Sequence, residues 1–187
     1  MTGQPSENDL SPTTDWEYVG QVILNLTSVI SQDPDDTRAY FLRGNAYLDS
    51  GKFSEAISDY TRVIDLDPDD PTSRNNRGIA HRSLGDPDAA IADYDAALEL
   101  DPLYRDAHTN RGIAYADKGD LPRAVTDFSA AIDLDPTSWH AFGQRGSALW
   151  ELGRKAEAER DYARASHRVR ARDADDRGGA SATGQVG

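Results

Sequence analysis

The chain has 187 residues, 37% of them hydrophobic and 28% charged, which is length for about one ordinary domain and too much apolar content for wholly disordered chain. Lys and Arg total 20 against 33 Asp and Glu, a net charge of −13; this argues against a nonspecific nucleic-acid binder that works by neutralising phosphates and disfavours binding to an anionic membrane surface. There is no cysteine, so disulfide frameworks, thiolate metal sites and cysteine nucleophiles are excluded.

Residues 1–13 hold no Lys or Arg and no apolar run. They lack both ingredients of a secretory signal and read as a disordered segment. No stretch approaches the ~20 apolar residues of a membrane span, and the expected location is the cytoplasm. Over residues 14–34, Val19, Val22, Ile23, Leu26, Val29 and Ile30 recur at helical spacing. Thr14 with Glu17 makes a capping box, so one helix is expected here, without a helix before it to pair with.

From Thr37 the chain repeats itself. Leu-Asp-Pro stands at 66–68, 100–102 and 134–136, a spacing of 34, and Arg-Gly keeps step at 43–44, 77–78, 111–112 and 145–146. Four frames follow: 37–70, 71–104, 105–138 and 139–172. Frame position 8 is Gly44, Gly78, Gly112, Gly146; position 11 is Tyr47, His81, Tyr115, Leu149; position 24 is Tyr60, Tyr94, Phe128, Tyr162. Each frame reads as two amphipathic helices. Gly51, Gly85, Gly119 and Gly153 end the first helix with a left-handed residue, and Pro71 and Pro87 stand where a helix begins. Small residues at 8, 20 and 27 let the two helices approach, and the position-24 ring fills the space beside them. In the last frame three apolar columns turn polar together, at Glu159, Ser166 and Arg168, as they should where no further frame is stacked. The last helix is expected to run to about Ala174, with 175–187 a disordered tail.

These residues resemble the tetratricopeptide repeat (TPR) family, whose period is ~34 with small residues at 8, 20 and 27 and Pro at 32. The four frames cover about three quarters of the chain; the last departs from the pattern, with Arg170 where Pro is usual. The resemblance implies an all-α fold, a right-handed α-solenoid of four TPR helix-turn-helix repeats with the helix at 14–34 as an N-terminal cap. It also implies a peptide-binding groove on the inward side of the first helices. By frame position the groove residues are Arg38, Phe41, Asn45 and Leu48, then Asn75, Asn76, Ile79 and Arg82, then Thr109, Asn110 and Ile113, then His140, Gln144 and Trp150. Position 6 runs Leu42, Asn76, Asn110, Gln144, and a side-chain amide both donates and accepts, as a peptide bond does. This is similar to part of the asparagine ladder in the TPR domain of O-linked GlcNAc transferases. The carboxylate clamp of chaperone-binding TPRs is not matched, because its three cation positions hold Phe41, Asp106 and Asn110. A free C-terminal carboxylate is not the expected ligand.

Catalytic signals are absent from the sequence pattern. His81, His108, His140 and His167 form no His-x-x-x-His pair, the glycines follow the repeat rather than a phosphate loop, and there is no G-x-S-x-G elbow. The Asp-rich turns lack EF-hand spacing and read as helix caps. The expectation is a protein that is not an enzyme and takes no cofactor or metal, with a protein or extended peptide as partner and neither nucleic acid nor membrane. Two charged columns hold in all frames, Arg43, Arg77, Arg111, Arg145 at position 7 and Asp59, Asp93, Asp127, Asp161 at position 23; they are expected to pair. Residues 1–36 carry seven acids and no Lys or Arg, while 139–172 carry eight basic residues against four acids. That asymmetry supplies the alternative, a self-assembling structural scaffold joined through its acidic and basic ends, and the chain is expected to be a monomer or weak homo-oligomer. In a variant of the groove reading, residues 1–13 occupy the groove themselves.

Overall fold

The computed structural model describes residues 15–178. The expectations for residues 1–13, for the Thr14–Glu17 capping box, for Arg168 and Arg170, and for the tail past 178 fall outside what it describes. Within the described residues there are nine α-helices and no strand: α1 Asp15–Gln32, α2 Thr37–Asp49, α3 Phe53–Leu66, α4 Pro71–Ser83, α5 Pro87–Leu100, α6 Arg105–Asp117, α7 Leu121–Leu134, α8 Trp139–Glu151 and α9 Lys155–Gly178. The last helix thus continues past Ala174. Residues up to Gly85 form one compact unit and residues from Asp86 a second.

Local chemistry sets the helix ends. Asp36, Asp70, Asp86 and Asp120 each accept a backbone N–H of the first turn of α2, α4, α5 and α7, and Ser138 does the same for α8. The Asp-rich turns are therefore caps, satisfying N–H groups that the helix cannot bond internally. Pro71 and Pro87 open α4 and α5, where a missing N–H costs nothing. Gly51, Gly85, Gly119 and Gly153 have φ of 71°, 81°, 77° and 76°, so the first helix of each frame stops at a residue without a Cβ.

In the first unit α1 packs on α2, α2 on α3 and α3 on α4; in the second, α5 to α9 pack in the same serial way. First helices of successive frames also touch, α2 with α4 and α6 with α8. Close approach within a helix pair depends on position 8. A Cβ on Gly44 would lie 2.9 Å from the Tyr60 ring, one on Gly112 2.7 Å from Phe128, and one on Gly146 2.9 Å from Tyr162. Ala56, Tyr60 and Ala80 are sealed into the core of the first unit, against Phe41, Tyr47, Leu48, Phe53 and Ile57. Tyr115, Ala124, Phe128 and Ala148 do likewise in the second, against Ile91, Ile113 and Val125 among others. At the far end Tyr162 is 38% exposed, whereas Tyr60 and Phe128 are 0% and 1%. Glu159 and Ser166 are exposed as expected. The position-30 column is shallower than its apolar character suggested, with Leu100 and Leu134 at 41% and 37%.

In the first, third and fourth frames the charged columns pair within the frame. Arg43 grips Asp59 with two bonds of 2.8 and 2.7 Å, Arg111 grips Asp127 at 2.8 and 2.7 Å, and Arg145 grips Asp161 at 2.7 and 2.9 Å. The third nitrogen reaches back to the preceding frame: Arg43 to Thr27, Arg77 to Thr61, Arg111 to Asp95 and Arg145 to Ser129, at 3.0, 3.0, 2.7 and 3.0 Å. Only a planar five-donor fork can hold two helices and a third at once. Burial opposes ionisation of the Asp127 carboxyl, but the bonds from Arg111 and His108 outweigh it and hold its pKa below the usual carboxylate range.

Candidate functional site

The proposed groove residues of the first unit lie on α2 and α4. Arg38 is exposed; Phe41, Asn45, Leu48, Asn76, Ile79 and Arg82 are half-buried. Phe41 and Leu48 pack against the Tyr60 core, Phe41 meeting the Tyr60 ring edge-on at 6.2 Å between centroids. Asn75 departs from the expectation. It is 3% exposed, and its amide donates to Asn76 Oδ1 at 3.1 Å. The cause is its place on the helix, turned from the open face towards the packed one.

Asn45 and Asn76 form the polar centre of this face. The Tyr60 hydroxyl donates to Asn45 Oδ1 at 2.7 Å, and Asn76 Nδ2 donates to the same oxygen at 3.2 Å. Burial drives the Tyr60 pKa far up, so the hydroxyl stays a donor. The amides thus do internal work that sequence reasoning missed: they satisfy a sunken tyrosine hydroxyl and tie α2 to α4. The signal was available, because a Tyr buried at position 24 needs a partner for its hydroxyl. Asn45 keeps its Nδ2 hydrogens unspent among the described residues.

In the second unit Thr109, Asn110, Ile113 and Gln144 are half-buried, and His140 and Trp150 are exposed. Ile113 packs against the Tyr115 cluster, Thr109 donates its hydroxyl to the Arg105 carbonyl at 3.1 Å, and Gln144 sits 3.4 Å from the His140 ring. The Gln144 arrangement differs from Asn76 because the ring of the preceding frame is Phe128, which offers no hydroxyl. Trp150 is 47% exposed, with Lys155 Nζ 5.3 Å above its ring.

His108 is more than a packing residue. Its ring lies 3.0 Å from the Pro102 carbonyl oxygen and 3.5 Å from Asp127. The bond with Asp127 raises its pKa above the ordinary histidine value, against burial. Among the described residues no group of three His, Cys, Asp or Glu is placed to hold a metal ion, and no helix is long and apolar enough to cross a membrane.

Comparison with known proteins places this geometry. Models described as tetratricopeptide repeat match residues 75–139 and 140–166, and one described as TPR repeat matches 44–85. No curated protein matches the chain. A crystal structure of MamA superposes with a TM-score of 0.77 at 21% identity, covering 87% of this chain and 99% of that one. YrrB, described as a TPR protein with an unusual peptide-binding site, gives 0.67 at 20% identity over 80% and 77%. The first TPR of Spaghetti (RPAP3), bound to the HSP90 peptide SRMEEVD, gives 0.62 at 29% identity over 65% and 96%. These likenesses give the fold as an all-α TPR solenoid. Since the family matches together run through residues 44–166, where the capping aspartates, close-packed glycines and buried rings of the helix pairs stand, the chain belongs to the tetratricopeptide repeat family.

Proposed function

We propose that this chain is a non-catalytic protein–protein interaction module that receives an extended segment of a partner on the inward face of its first helices. The observation that carries the reading is the Asn45–Asn76 pair. The two amides are half-buried, Asn45 is held by Tyr60 and Asn76 by Asn45, and Asn45 retains N–H donors suited to a peptide carbonyl. Partly fixed amides lose little freedom on binding, which favours affinity. The Spaghetti repeat bound to a peptide and the peptide-binding site described for YrrB support the functional class. The clamp cations are missing here, so the ligand is an internal stretch of a partner rather than its carboxyl end. The reading places the protein in the cytoplasm and assigns it no cofactor.

Capture of partners from native lysate by the full chain tests this. Asn76→Ala with Asn110→Ala should abolish capture while leaving helicity by circular dichroism unchanged. Undiminished capture by the double variant overturns the reading.

One observation favours the scaffold as a second reading. Large apolar side chains stay open at both oppositely charged ends: Tyr18, Leu24 and Val29 on α1, and Trp139, Trp150 and Tyr162 on α8 and α9.

A further inference from the structure

A cleft of about 230 Å³ lies among α7, α8 and α9, floored by Val125 and Leu149 and rimmed by Arg145, Arg154 and Arg160. It exists because two columns shrink together. Position 11 carries Tyr47 and Tyr115 in the first and third frames but Leu149 in the fourth, and the residue of position 21 in the frame before falls from Ile91 to Val125. Where the ring is present, a cation covers it. The Arg123 guanidinium lies 4.3 Å from the Tyr115 centroid, and Arg43 and Lys52 lie 5.8 and 5.9 Å from that of Tyr47. In the fourth frame the cations remain and the ring does not.

The volume falls below the ~300–1,000 Å³ of small-molecule sites, and it suits a single large side chain. Arg145 is held by Asp161, and Arg154 by Glu157 through two bonds of 2.7 Å. Arg160 is exposed and has no hydrogen bond or ion pair among the described residues. With three arginines against Glu157 and Asp161 the cleft is left net positive.

We infer that this cleft takes an aromatic side chain of a second copy, presented by the acidic stretch Asp15-Trp16-Glu17-Tyr18; the inference rests on the scaffold reading above. Tyr18 is 68% exposed, and the stretch belongs to the region of seven acids without a cation, opposite in sign to the frame that holds the cleft. A ring entering it meets Leu149 below and guanidinium groups at the rim. That rebuilds between molecules the ring-under-cation packing the chain makes within itself at Tyr47 and Tyr115. Asp15 and Glu17 bring charge of the sign that the rim attracts. The joint uses different surfaces on the two copies, so it runs head to tail.

Sedimentation velocity of the full chain at about 50 and 500 mM NaCl, between which the Debye length shortens from about 14 to about 4 Å, tests the joint. The wild type should form concentration-dependent larger species at low salt and return to monomer at high salt. Leu149→Tyr, which restores the ring of the other frames, and Arg160→Glu, a surface change that does not touch the core, should both remain monomeric with unchanged helicity. In fluorescence anisotropy, a labelled peptide of residues 9–18 should bind wild type at least about tenfold more tightly than either variant, a difference of about 1.4 kcal/mol. A wild type that is monomeric at low salt overturns the joint and the scaffold reading together. Assembly untouched by both substitutions overturns the cleft and leaves the scaffold standing. Weakening by Arg160→Glu without weakening by Leu149→Tyr makes the cleft an anion site and overturns the ring.

Discussion

Ser73 is fully buried, and its hydroxyl finds no partner among the described residues; the same column elsewhere holds Ala39, Ala107 and Ala141. An unpaired buried hydroxyl costs about 1–3 kcal/mol, so Ser73→Ala should stabilise the protein by about 1 kcal/mol, a rise of ~2–4 °C in Tm for a chain of this size. An unchanged or lower melting temperature would count against it. His108 supplies a pH dependence. Its folded pKa lies above the unfolded value of about 6.5, so the protonated ring adds stability that is complete below that pH. That stability is lost as pH rises through the higher folded value. Melting curves across this window should show a decline in Tm that His108→Phe removes, Phe being the residue at the same position in the fourth frame, Phe142; a slope unaltered by the substitution would assign the decline elsewhere. At this scale the sequence is only half transparent. Asn76 stood out because amides recur at position 6, but that Asn45 and Asn76 meet at one oxygen under Tyr60 depends on which rotamers the stacked helices leave open. No spacing rule encodes that.

Between helices, the three-way arginine grip governs. Asp127 is 4% exposed, and Arg111 provides two of its bonds. Arg111→Met strands a buried carboxylate and should cost about 3–5 kcal/mol, while Arg111→Met with Asp127→Leu should recover most of that loss; chemical denaturation of the two variants makes the comparison. Gly112→Ala places a methyl 2.7 Å from Phe128, and such overpacking should cost about 1–3 kcal/mol. The Arg–Asp half of the grip is legible in sequence because both columns keep one residue type in every frame. The other half is not. Thr27, Thr61, Asp95 and Ser129 share only an oxygen that can accept a hydrogen bond, and a column defined by an atom rather than a residue does not announce itself.

At the level of the molecule, helices and turns follow from the repeat, because glycines, prolines and capping aspartates act locally. The face proposed to receive a partner does not, because whether Asn75 faces out or in is decided by how neighbouring helices roll. The last frame is less covered than the frame before it: Tyr162 is 38% exposed where Phe128 is 1%. Hydrogen exchange should therefore run faster in α8 and α9 than in α6 and α7, and equal protection would mean that something covers the terminal face. The backward reach of the arginines bears on how such a chain can change its length over generations. Arg43, Arg111 and Arg145 each draw one partner from their own repeat and one from the repeat before, at fixed offsets. Excision of residues 105–138 would set Arg145 beside Asp95, where Arg111 now stands, with Asp161 still in its grip. Insertion or loss of whole 34-residue cassettes therefore orphans no charge, whereas a gain or loss out of phase breaks the clasps whose partners lie on either side of it.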